Sequence, residues 1–158
     1  MKALVLYYSN SYHTSQVMGQ IAKRLNAPME AIRVKEPYGD SLMARSKQEA
    51  EVGPLPEILP LSKDISEYDS LFLGTPVWWL TASTPVQSFL AENDLSGKTV
   101  YPVITTGFDV RGVLEKFSAI IEKAGGKVGK ALIVPFENAM IRLDKAQIDQ
   151  YVDSLSLE

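Results

Sequence analysis

Ala3-Leu4-Val5-Leu6-Tyr7-Tyr8-Ser9-Asn10-Ser11-Tyr12-His13-Thr14 is the stretch from which the rest of the chain can be read. Its first half is apolar and rich in branched and aromatic side chains, as a buried strand requires. Its second half is polar, and behind it, near Ser15, opens a helical pattern of Val17, Met18, Ile21, Ala22 and Leu25. A strand that passes through a polar loop into a helix start is phosphate-site architecture, because first-turn N–H groups are unpaired and lie at the positive end of the helix dipole. Ser9, Ser11 and Thr14 add hydroxyl donors; Thr14 equally fits an ordinary helix cap.

Further apolar runs at Met29 to Val34, Ser70 to Leu73, Thr99 to Thr105 and Ala131 to Phe136 bring the expected strands to five. Helical patterns separate them. Val113, Phe117, Ile120, Ile121 and Ala124 share a face and stop at Gly125 and Gly126. Thr84, with Pro85 in the first turn and Gln87 three residues on, predicts a cap, as does Asp144 with Gln147. The last helix carries Ile148, Tyr151, Val152 and Leu155. From Val34 to Tyr68 the chain makes a proline-rich excursion around one polar helix, expected over Ser41 to Val52. This βα alternation predicts an α/β fold: a doubly wound parallel sheet with helices on both faces, in a single domain spanning 1–158.

The 158 residues, 46% of them hydrophobic, suffice for one sizeable core. Cysteine is absent and histidine occurs once, which excludes thiol chemistry and makes a metal site unexpected. Redox chemistry would then need a cofactor. A net charge of -3 without a basic stripe argues against nucleic acid. No apolar run suits a membrane span and no signal pattern opens the chain, so a cytoplasmic location is expected. Ser96-Gly97-Lys98-Thr99 ends like a P-loop but precedes a strand, and G-x-G-x-x-G and G-x-S-x-G are missing.

In open parallel sheets, ligands bind beyond the carboxyl ends of the strands, where the winding reverses. Three loops should meet there: Ser9 to Thr14, Thr75 to Ser83 and Thr105 to Gly112. The second holds Pro76, Val77, Trp78 and Trp79. Adjacent positions on a strand point opposite ways, so one tryptophan can stack on a ligand while the other packs in the core. The third joins Thr106 and Gly107 to Phe108, which suits either the surround of a flat ring or an ordinary turn. Arg111 reads as a solvated or helix-start residue.

These residues resemble the flavodoxin-like FMN proteins, in particular a short branch with a Pro-x-Trp-Trp loop. The likeness runs through Tyr7, Tyr8 and Ser9 to Thr14, Pro37 and Tyr38, Lys47 and Glu49, Pro56 to Ile58, Tyr68 and Asp69, and is most specific in Phe72-Leu73-Gly74-Thr75-Pro76-Val77-Trp78-Trp79. The resemblance implies a five-stranded sheet of order 2-1-3-4-5 and FMN as cofactor. Its phosphate would lie on Ser9, Ser11, Tyr12, His13 and Thr14. Its ring would lie between Pro76, Val77, Trp78 and Trp79 on one side and Thr106, Gly107 and Phe108 on the other. Where the family's phosphate loop usually has glycine and then a small residue, this chain has Tyr12 and His13; a positive φ there would make tyrosine costly.

The implied function is electron transfer through the flavin, with no catalytic side chain and a redox partner protein or small quinone-like acceptor. The alternatives are an FMN-dependent NAD(P)H:quinone-type reductase and a flavin-free binding module. Stacking against Trp78 or Trp79 and the lack of a lysine or histidine in the second loop predict a poorly stabilised anionic reduced ring and a low potential.

Overall fold

The computed structural model describes residues 2–107, 110–137, 140–141 and 143–155. Strand β1 (Ala3–Tyr7) leads into α1 (His13–Leu25), β2 (Met29–Ala31), α2 (Leu42–Glu51) and β3 (Ser70–Trp78). Then follow β4 (Thr81–Ala82), α3 (Thr84–Glu92), β5 (Thr99–Thr106), α4 (Val113–Lys123), β6 (Lys127–Val128), β7 (Leu132–Glu137), β8 (Met140–Ile141) and α5 (Lys145–Asp153). The parallel strands lie in the order β2-β1-β3-β5-β7, and β6 pairs with the start of β5 while β7 pairs with its end. Together β6 and β7 fill the fifth place, so the expected 2-1-3-4-5 order holds. Short β4 and β8 add antiparallel pairs to β3 and β7.

Strand alternation divides the core into two layers. Leu4, Leu6, Leu71, Leu73 and Ile104 pack with Val86, Phe89, Phe117 and Ile121 of α3 and α4. Ala3, Val5, Phe72, Tyr101 and Val103 pack with Val17, Met18 and Ile21 of α1 and with Ile148 and Val152 of α5. Each fully buried side chain of this kind contributes roughly 1.5–3 kcal/mol from burial. At Gly74 a Cβ would stand 2.6 Å from Met18 Sδ, so glycine lets α1 sit close over β3.

Four local readings change. The strand expected at Ser70 to Leu73 continues to Trp78 and turns back through β4, so most of the expected second loop is a hairpin. The strand expected from Met29 to Val34 ends at Ala31, and Val34 instead bridges Ile58. Thr84 is not the cap of α3: Ser83 holds that position, and the Thr84 hydroxyl donates to buried Glu49 at 2.8 Å. Gln87 Nε2 accordingly donates to the Ala82 carbonyl. Helix α1 starts at His13 with Tyr12 at its cap position, so Thr14 does not cap it. The Asp144–Gln147 capping box forms as expected, with reciprocal bonds of 2.9 Å.

Candidate functional site

The winding reverses at β1, which has β2 on one side and β3 on the other. The segments following β1, β3 and β5 therefore open along one edge of the sheet. In the first, Tyr12 takes φ 79° and ψ -25°, the left-handed region that disfavours a residue with a Cβ. The positive φ that would make tyrosine costly is thus present, and its side chain is 74% exposed. Tyr12 supplies no side-chain cap to α1, and among the described residues only one first-turn N–H, that of Ser15, meets a side-chain acceptor. Ser9 Oγ accepts a long bond from Ser15 N at 3.4 Å, and Ser11 Oγ lies 3.2 Å from His13 Nδ1. Thr14 turns inward, its buried hydroxyl 2.7 Å from that of Thr105.

The His13 ring stacks on Phe136 of β7, with centroids 4.0 Å apart and planes 4° from parallel. Gly107 lies against the same ring, where a Cβ would come within 3.1 Å of Phe136 Cε2. Phe136 thus joins the first and third segments, a role that its place at the end of the fifth apolar run could have signalled. Thr106 is buried at the end of β5. Phe108 lies outside the described residues.

The second segment is a tight hairpin. Val77 pairs with Ala82 and Trp78 with Thr81, leaving Trp79 and Leu80 as the turn at φ 54° and 63°. Two left-handed residues suit the twist of such a turn, but Asn-Gly is the usual occupant. Pro76 is buried and Val77 half-buried. Trp78 is half-buried, with Tyr8 and Tyr38 meeting it edge-on at 5.3 and 5.4 Å. Trp79 is 39% exposed, and its Nε1 donates to Ser46 Oγ on α2 at 2.9 Å. Neither indole is fully buried.

Behind the hairpin lies a polar cluster that the weak periodicity of α2 concealed. Buried Glu49 accepts from Tyr38 at 2.6 Å, from Thr84 at 2.8 Å and from Arg45 Nε at 3.1 Å. Arg45 also lies over the Tyr38 ring and donates to the Glu36 carbonyl. Burial, then the Glu49 hydrogen bond, raises the Tyr38 pKa. Burial pushes Tyr8 up to about 12 against the lowering influence of Arg45. With three donors on one carboxylate, Glu49 pins α2 against α3 and the sheet edge.

A family model described as Flavodoxin matches residues 2–142. The chain belongs to the flavodoxin family. Solved structures share this fold at low identity. A Bacteroides uniformis protein is 20% identical with a TM-score of 0.82, over 97% of this chain and 98% of its own. A Lactobacillus acidophilus flavoprotein in complex with FMN is 20% identical with a TM-score of 0.76, over 95% and 97%. A Fusobacterium nucleatum flavodoxin bound to flavin mononucleotide is 20% identical with a TM-score of 0.57, over 97% and 96%. No curated protein matches the chain. Among the described residues no cluster suited to a metal ion occurs, and no helix is long and apolar enough to cross a membrane.

One premise of the low-potential expectation changes. The second loop has no lysine of its own, but two reach it from neighbouring helices. Lys47 Nζ of α2 lies 5.7 Å from the Trp79 ring centroid, and Lys116 Nζ of α4 donates to the Leu80 carbonyl at 3.3 Å. Loop composition missed them because both come from elements distant in sequence. The hairpin therefore has positive charge beside it although its own sequence holds none.

Proposed function

We propose that the chain binds FMN and serves electron transfer, its Pro76–Trp79 segment placing it in the short Pro-x-Trp-Trp branch. The observation that carries this reading is the N-terminus of α1, to which Tyr12 gives no side-chain cap, at the winding reversal of a flavodoxin sheet beside a hairpin with an exposed indole. The donor set fits the cofactor. First-turn amides, Ser9, Ser11 and His13 would take the phosphate, with Tyr12 over the loop. Thr14 would contribute its N–H, since its hydroxyl is turned to Thr105. The ring would lie between Pro76, Val77, Trp78 and Trp79 and the segment of Thr106, Gly107 and Phe108. Bound FMN would supply the electron chemistry.

The protein's own residues bind, orient and enclose. Phe136 holds His13 and Gly107 in one arrangement, while Ser46 fixes the Trp79 indole through its N–H. The Glu49 cluster sets the helix that carries Ser46. No side chain is required to exchange a proton. The acceptor would be a redox protein or a small quinone-like molecule, in the cytoplasm, and a hydride-accepting reductase is the second reading, favoured by the lysines at the hairpin.

The test is reconstitution. Purified protein mixed with FMN is expected to retain a yellow 1:1 complex through gel filtration and to quench flavin emission, with Trp79→Ala restoring part of that emission. A protein that stays colourless with excess FMN overturns the proposal in favour of a flavin-free module.

A further inference from the structure

Trp78 has two tyrosines at its edge, alike in every respect but one. Tyr8 and Tyr38 meet the indole at 5.3 and 5.4 Å between ring centroids and at 83° and 88° between planes. Both rings are buried. By distance and angle neither has the advantage as an electron donor to the indole. Their hydroxyls set them apart. The Tyr38 hydroxyl donates to Glu49 Oε1 at 2.6 Å, whereas that of Tyr8 forms no hydrogen bond among the described residues. Glu49 acts on Tyr8 only as a nearby charge.

A phenol that gives up an electron becomes a strong acid, so it is readily oxidised only where its proton has somewhere to go. Burial and the Glu49 bond keep the resting Tyr38 protonated. The Arg45 guanidinium lies 4.2 Å from the Tyr38 ring centroid and would repel a positive charge left on that ring. An electron can therefore leave Tyr38 easily only together with the proton. Its acceptor is already aligned. Thr84 donates to the same Glu49 oxygen at 2.8 Å and Arg45 Nε to the other at 3.1 Å, so the proton travels along an existing short bond to a carboxylate held in place.

We propose that Trp78 and Tyr38 form a one-electron relay with Glu49 as its proton acceptor. An oxidising radical takes one electron from the Trp78 indole, and an electron from Tyr38 refills it as the phenol proton passes to Glu49 Oε1. The indole is restored, and a neutral tyrosyl radical and a neutral carboxyl remain. Where the indole radical has first lost its N–H proton to water, water returns it and the balance holds. The relay moves an oxidising equivalent from the half-buried indole to a buried phenol. Clearing such equivalents from beside a flavin rests on the FMN reading; the transfer itself does not.

The test is pulse radiolysis of the full chain without FMN, with the azide radical as oxidant, because it attacks indoles faster than phenols at neutral pH. Trp79→Phe serves as the background, leaving Trp78 as the one indole of the chain. The indole radical band is expected to decay as the tyrosyl band rises, at a rate independent of protein concentration. Tyr38→Phe should abolish that rise, and Tyr8→Phe should leave it in place. Glu49→Gln keeps the size and a hydrogen-bond acceptor but removes the base, and should slow the transfer roughly 100-fold, the lower end of what a positioned base contributes. Heavy water should slow it as well. Circular dichroism verifies the fold of each variant; if Glu49→Gln unfolds, the two tyrosine variants and the heavy-water rate decide. Tyrosyl formation that survives Tyr38→Phe, or that stops in Tyr8→Phe, overturns the proposal. A rate indifferent to both Glu49→Gln and heavy water overturns it too, because the proton would then leave by another route. FMN failing to bind would defeat the FMN reading and leave this outcome untouched.

Discussion

Tyr12 tests the link between sequence and backbone at the first loop. It holds φ 79° at the cap position of α1, exposes 74% of its side chain and makes no capping bond. A left-handed residue with a Cβ costs roughly 1–2 kcal/mol. Glycine escapes that cost but loses about 0.5–1 kcal/mol more than alanine in chain entropy on folding. Tyr12→Ala keeps the Cβ and its strain; Tyr12→Gly releases it. The glycine variant is therefore expected to be more stable than the alanine variant by about 0.5–1 kcal/mol, reversing the usual helix order. Because the ring is mostly exposed, Tyr12→Ala itself should lie within ~0.5 kcal/mol of the parent. Urea unfolding followed by tryptophan fluorescence measures all three. An alanine variant as stable as the glycine variant would refute the strain argument, and the family's glycine would need another explanation.

Glu49→Ala should cost about 2–4 kcal/mol in the same assay, because Arg45, Tyr38 and Thr84 lose a shared buried acceptor; a loss below ~1 kcal/mol would contradict the pinning role of the cluster. At high pH, Tyr8 is raised to about 12 by burial, and Tyr38 and Tyr151 are raised by the same cause. The stability from keeping them neutral is fully present below the unfolded tyrosine pKa of ~10 and is lost as pH rises through the folded values. Thermal melts across pH 9–12 should show a falling midpoint, with the phenolate absorbance of these three tyrosines appearing only on unfolding. At low pH, the Arg24 hydrogen bond holds Asp153 below its ordinary pKa, and bonds from Gln20 and Lys145 do the same for Asp149. Their contribution is present above ~4 and fades below it as the folded pKa values are crossed. The protection of α5 amides relative to their intrinsic exchange rates is expected to fall there; unchanged protection would show that apolar packing alone holds the helix.

The fold was legible because its signals are local and agree. The βα alternation implied the doubly wound parallel sheet, and the resemblance implied its strand order. The Asp144–Gln147 box marked the last helix. What escaped depends on contacts between segments distant in sequence. Thr84 reads as a cap until Glu49, 35 residues earlier, claims its hydroxyl. Thr14 reads as a donor to the loop until Thr105 meets it from β5. The Trp79–Leu80 hairpin turn lacks the Asn-Gly chemistry by which such turns are recognised, and so it passed for a loop. Phe136 and the two lysines come to the site on β7, α2 and α4. Of the loop residues named from the sequence, those among the described residues follow β1, end β3 or end β5, and Phe108 lies outside the described residues.

If the loop after β1 holds the phosphate of FMN, the chain should separate FMN from riboflavin sharply. The two ligands share a ring and differ at the phosphate. Hydrogen bonds to a charged group contribute about 1.5–3 kcal/mol each, so two such bonds should make FMN at least ~100-fold tighter in fluorescence titration. Ser11→Ala should narrow that ratio without altering riboflavin affinity. Equal affinities for FMN and riboflavin would contradict the claim.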